Sequence, residues 1–213
     1  MAILMRAPEE SASWEWELND FAQPGLESAL LVAARMTAVL REHRLLDPDR
    51  LAWGWTVFGR GGIGLGANIS LRGELDGTEL ARKVRQAQPA AFPEAVPGYF
   101  VVSGSGTWLD AEGEARSEPG LVELTVYSDE RNLAAEVAVF HDIWGYCDFK
   151  GVPHPALRDR NAPRLAAALR DLEALLGAPA QPGDPTYFGQ ADGHGIAEPD
   201  LIDGLGPDLT DKL

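Results

Sequence analysis

The stretch LVELTVYSDERNLAAEVAVFHD, residues 121–142, decides the fold. Two runs rich in Val, Leu and Ala flank the turn-forming cluster DERN, residues 129–132. Successive strand side chains point to opposite faces, so alternation of large apolar with small or polar residues marks a strand half buried against a core. Upstream, YFVVSGSGTWLD (99–110) carries a similar pattern and turns at AEGE (111–114). Segments at hairpin spacing make an antiparallel meander and not a parallel sheet.

Working outward, SASWEWELND (11–20) alternates Trp14, Trp16 and Leu18 against Glu15 and Glu17, the signature of another half-buried strand. After the break at Pro24-Gly25, residues 26–46 are apolar on most sides through Ala34 and charged late, at Arg41, Glu42 and Arg44. This predicts a long helix laid on a sheet and stopped by Asp47-Pro48. LAWGWTVF (51–58), with Trp53, Trp55 and Val57 in phase, and IGLGANISL (63–71), with Ile63, Leu65, Ala67, Ile69 and Leu71 in phase, read as strands joined by a glycine loop. Asp76-Gly77-Thr78-Glu79 has capping-box spacing and opens a short helix with Leu80, Val84 and Ala87 inward, ended by Pro89. NAPRLAAALRDLEALLG (161–177) predicts a helix capped by Asn161, with Pro163 in its first turn, Leu165, Leu169, Leu172 and Leu176 on one stripe, and Gly177 at its exit.

These elements give an α+β domain over residues 1–177: a meander-rich antiparallel sheet with about three helices packed on it. Residues 178–213 lose the periodicity. They are rich in Gly, Pro and Asp, yet keep Tyr187, Phe188, Ile196, Leu201, Ile202 and Leu205. A fully disordered tail would hold fewer apolar side chains, so an acidic segment wrapping the domain and frayed beyond Gly206 is expected.

The formal charge is −15 over 213 residues. Such a field repels nucleic acid and anionic membranes and steers cationic partners toward the chain. No run is long enough to span a bilayer, and MAILMRAPEE has neither the apolar length nor the cleavage pattern of a signal peptide. A cytoplasmic protein follows, and the preference for Arg over Lys fits GC-rich bacterial coding. A single cysteine excludes an internal disulfide and any zinc site built from several thiolates.

Four features bear on chemistry. GRGGIG (59–64) spells a dinucleotide fingerprint, but that motif requires a helix next, and the following residues alternate as a strand. HDIWGYCDFKGVPHP (141–155) gathers Cys147, His141, His154 and Asp142, the residue types of an activated thiol. The spacing is awkward, because His141 and Asp142 leave a strand on opposite faces and Cys147 must fold back across residues 143–146 to meet His141; His154, held extended between Pro153 and Pro155, is an equally good candidate partner. A structural account covers more of these residues and is preferred: an apolar plug of Ile143, Trp144, Tyr146 and Phe149 under the final helix, with Trp144 and Tyr146 turning polar atoms to the rim and Asp142 and Asp148 binding turn amides. Asp192 and His194 sit on a glycine loop without calcium-loop spacing, so no metal or other cofactor is expected. Finally, Trp14, Trp16, Trp53 and Trp55 alternate in pairs and would form an aromatic ladder if their strands pair.

The reading that unites charge and aromatics is a non-enzymatic, immunity-type or inhibitor protein occupying a basic protein partner. Its candidate contacts are Trp14, Trp16, Trp53, Trp55, Trp144 and Tyr146, together with Trp108 if exposed. A small enzyme using Cys147, His141 and His154, and a scaffold subunit held by its tail, stand as alternatives.

Overall fold

The computed structural model describes residues 4–73, 75, 77–129 and 131–213. In chain order the elements are β1 (Ala12–Glu17), α1 (Leu26–Glu42), β2 (Asp47–Val57), β3 (Gly61–Ser70) and α2 (Gly77–Gln86). There follow β4 (Val96–Leu109), β5 (Ala115–Pro119), β6 (Val122–Ser128), β7 (Leu133–Val139), α3 (Pro155–Leu176), β8 (Gln181–Pro182), and the small hairpin β9 (Ala191–Asp192) and β10 (Gly195–Ile196). The capping box placed on Asp76 lies outside the described residues.

The expected meander is the centre of one antiparallel sheet ordered β3-β2-β4-β6-β7-β1-β8, with β5 beside β4. With three helices, the fold is α+β. Strand β5 breaks the expected order, in which β6 follows the 111–114 turn directly. β4 is 14 residues long, and its far half, Ser105–Leu109, pairs with β5 while Tyr99–Val102 pairs with β6.

One face of the sheet is the core. Leu51, Trp53 and Trp55 of β2, Phe100 and Val102 of β4, Leu124 and Val126 of β6, Val137 of β7, and Trp14 and Trp16 of β1 are all buried. α1 covers β2, β4 and β6 with Leu30, Ala33, Met36 and Leu40, residues three or four apart on one stripe. α3 packs on α1 and β4, and α2 packs on α1. β1 and β2 share this face, but three strands separate them, so the tryptophans form no ladder. The alternating glycines of β4 have a steric cause. A Cβ at Gly104 would lie 2.0 Å from Asp47 O, and one at Gly106 2.3 Å from Leu45 O, where the α1–β2 connection presses against the strand.

Several local expectations change. α3 begins at Pro155, not Asn161, because Pro155 suits the first turn and His154 stands at the N-cap. Asn161 is buried inside the helix: its Oδ1 accepts from Leu109 N–H, and its Nδ2 donates to Leu109 O and Leu157 O, pinning the end of β4. Pro163 is also internal, where it has no amide to give the carbonyl four residues back, that of the exposed Asp159. Ala87 lies beyond the end of α2 and is exposed, and Leu65 is exposed on β3, the edge strand. At GRGGIG, Gly59 and Gly61 turn with φ of 71° and 73° and β3 follows, so no helix N-terminus faces the loop.

The tail is tied along its length. Gly183 N–H donates to Ser13 O, Thr186 Oγ1 to Glu10 O, and Trp14 Nε1 to Gly193 O at 2.7 Å. His194 pairs with Glu173 of α3 at 2.8 Å. Phe188 stacks edge-on against Phe149 at 5.3 Å, with Ala7 alongside. Beyond Gly206, where fraying is expected, the amides of Gly206 and Leu209 bond back to Gly151 O and Phe149 O. No helix among the described residues is long and apolar enough to cross a membrane.

Candidate functional site

The strand exit at residues 141–155 does gather its titratable side chains, but not as a nucleophile and base. His141 is buried, and neither ring nitrogen has a hydrogen-bond partner. Its Nε2 lies 3.8 Å from Glu118 Oε1. Burial, reinforced by Arg6, holds its pKa down at about 4, so the ring is neutral at pH 7. His154 Nε2 lies 3.2 Å from Asp142 O and 3.1 Å from Gly145 O. Both are acceptors, so this nitrogen carries the proton and clasps the loop.

Cys147 is half-buried, and burial pushes its thiol up, with Asp148 adding to the rise and the Gly206 amide opposing it. A thiol held neutral is a weak nucleophile. Under native conditions it should react with a thiol reagent many times more slowly than in denaturant; equal rates would show an activated, open cysteine.

Asp142 is the unexpected member of this stretch. Asp148 binds turn amides as expected, its Oδ1 accepting from Lys150 and Val152. Asp142 instead accepts from Met5 N–H at 3.2 Å, tying down the N-terminal segment, and its buried Oδ2 has no partner. Burial pushes its carboxyl up to about 7, with the Met5 and Phe149 amides opposing the rise and Asp148 adding to it. Asp142, His141 and Cys147 line one cavity of about 260 Å³, walled on its other side by tail residues 185–190 and 196–199.

The tryptophans are not contact residues. Trp14, Trp16, Trp53, Trp55, Trp108 and Trp144 are all buried, the most accessible being Trp108 at 8%. Each sits on the large apolar phase of its strand or in the plug under α3, where core packing claims it. Trp144 Nε1, expected at the rim, is buried without a partner. Tyr146 alone of the proposed contacts is half-exposed, with the Arg158 guanidinium 5.9 Å over its ring.

The helix-free face of the sheet carries what the tryptophans do not. In one row across it, Tyr99 stands opposite Tyr127, Tyr127 opposite Ala134, and Ala134 opposite Glu17. In the next row Val101, Thr125, Glu136 and Glu15 stand side by side. Tyr99 lies flat across β2, since a Cβ at Gly54 would meet its ring at 2.5 Å. Tyr99 and Tyr127 are about two-fifths exposed and Phe58 is 64% exposed.

Glu15 and Glu136 are directly opposed across β1 and β7, an arrangement of like charges that destabilises a sheet. Burial raises the carboxyl of Glu136; a hydrogen bond from Tyr127 Oη at 2.8 Å opposes this, while Glu10, Glu15 and Glu123 push it further up. Burial also raises Glu123, with Arg6 opposing and Glu10 adding. At the end of this face a groove of about 790 Å³ opens between Phe58, Val96, Tyr127, Arg131, Glu17 and Glu136. Tyr99 and Tyr127 were not among the sequence candidates, although each is an aromatic on the polar phase of its strand, the signal that could have found them.

Asp192 is exposed and His194 is engaged with Glu173. Among the described residues no cluster of His, Cys, Asp and Glu is arranged to hold a metal ion. Comparison with known protein families, curated proteins and solved structures finds no match for this chain.

Proposed function

We propose that the chain is a non-enzymatic binding module, of immunity or inhibitor type, whose open sheet face takes a cationic protein partner. The observation that carries this reading is the set of carboxylates Glu15, Glu17, Glu123 and Glu136 gathered beside exposed tyrosines, with Glu15 opposed to Glu136. Like charges held together on a sheet lower stability, and a partner's Lys or Arg side chains relieve that repulsion on binding. Tyr99, Tyr127 and Phe58 supply the rigid apolar area around which such an interface is built.

The test compares two triple variants of equal charge. Glu15→Gln/Glu17→Gln/Glu136→Gln neutralises the face, and Asp200→Asn/Asp203→Asn/Asp211→Asn neutralises the tail. A cationic protein retained on the immobilised chain at low salt should associate with the face variant about tenfold or more slowly, and with the tail variant at nearly the native rate. Equal losses would assign the effect to net charge and reject the face. Glu15→Gln alone should also raise stability by about 0.2–1 kcal/mol in urea unfolding, as the like-charge pair is removed.

A further inference from the structure

The cavity under the tail has a composition of its own. Among its buried polar groups, beside Ser11 and His141, is Asp142, 3% exposed, whose Oδ2 has no hydrogen-bond partner. The rings of Tyr146, Phe149, Tyr187 and Phe188 wall it, and Asp148 and Glu198 add carboxylates. No lysine or arginine among the described residues lines it. Two cations stand at its mouth: the Lys212 ammonium 5.6 Å from the Tyr187 ring, and the Arg158 guanidinium over Tyr146 and paired with Glu198 at 2.8 Å.

A buried carboxyl with one oxygen unpartnered, set among aromatic rings, calls for a ligand that donates and carries positive charge. An anion would meet Asp142, Asp148 and Glu198, and a neutral apolar group would leave Oδ2 unsatisfied. A compact cation satisfies the carboxylate and gains from the faces of the surrounding rings. The neutral His141 ring beside Asp142 adds no repulsion.

We propose that this cavity is a binding site for a compact primary ammonium group, held by the Asp142 carboxylate and the aromatic rings around it. The group can come from a free alkylamine or from a lysine side chain of another protein. The site is separate from the open sheet face and does not rest on the function proposed above.

Binding an ammonium favours the ionised form of Asp142, so affinity should rise with pH and level off above about 7. The other titratable and charged groups around the cavity and its approaches include Tyr146, Cys147 and Asp148 in its own loop, His141 before it with Glu118 of β5 3.8 Å from its ring, His154 and Arg158 at the start of α3, Arg6 on the N-terminal segment, and Tyr187, Glu198 and Lys212 on the tail. Burial holds the two histidines below their ordinary value and Cys147 above its own, while Asp142 is pushed up to about 7.

The test is a titration of the full chain with n-butylammonium, with an N-acetyl-lysine amide and with n-butanol, followed by amide NMR and calorimetry. Butylammonium should shift the amides of Tyr146–Phe149 and Phe188, bind about tenfold more tightly at pH 8 than at pH 6, and release a proton at pH 6. Butanol should not bind. Asp142→Asn keeps an acceptor for Met5 N–H and should lower the affinity at least tenfold. Should that variant misfold, Tyr187→Ala, changed at an exposed rim position, should weaken binding several-fold. Equal binding of both amines assigns the site to a partner's lysine, and binding of butylammonium alone assigns it to a free amine. Binding of butanol as tight as that of butylammonium, pH-independent affinity, or no shift with either amine would overturn the proposal.

Discussion

Replacing Trp14 with alanine is expected to lower stability by about 3–5 kcal/mol in equilibrium urea unfolding, among the largest effects of any single substitution here. Trp14 is fully buried between β7 and the start of the tail, so its removal leaves a cavity that a paired strand cannot collapse to fill. Its indole also holds the tail, donating from Nε1 to Gly193 O at 2.7 Å. Trp14→Phe keeps most of the volume and loses that bond, at about 1 kcal/mol. Amide exchange should then speed up at residues 186–198 more than in α1. A loss under 1 kcal/mol for the alanine variant would mean that Trp14 is not core.

The second large effect is in the pH dependence of stability. Asp142 is raised from 3.8 to about 7 on folding. Between those values the folded state keeps a proton that the unfolded chain has lost, so stability from this group falls as pH rises from 3.8 to 7. His141 is lowered from 6.5 to about 4. In that range the unfolded chain holds the proton, so stability from this group rises with pH between 4 and 6.5.

The two slopes oppose each other and largely cancel in the native protein. Single variants uncover them. Asp142→Asn should gain on the order of 3 kcal/mol of stability from pH 4 to 6.5, and His141→Asn should lose a similar amount from pH 4 to 7. Variant profiles parallel to the native one would show that neither group is desolvated as described.

The elements with strong periodicity were legible in the sequence: the meander, the buried stripe of α1, and the Leu165–Leu176 stripe of α3. Misreadings fell where a side chain serves a distant partner. Asn161 looks like a cap because short amides favour caps, yet it bonds Leu109, 52 residues away. β5 hides in ARSEPG because an edge segment that buries nothing shows no alternation. The tryptophans misled because an aromatic on the apolar phase of a strand reads alike as anchor and as core, and all six proved to be core. Glu15 and Glu136 lie 121 residues apart, and only the register of β1 on β7 opposes them. The unpartnered Oδ2 of Asp142 likewise depends on the tail folding back over the strand exit.

The most direct measurement of the open-face reading is a map of amide shifts on the labelled chain as a cationic partner is added at low salt. The largest shifts are expected at Glu15, Glu17, Tyr99, Tyr127 and Glu136, with the helices α1 and α3 silent and the whole pattern fading as salt rises. Shifts concentrated on the helical face or on residues 178–213, with β1, β6 and β7 unchanged, would contradict it.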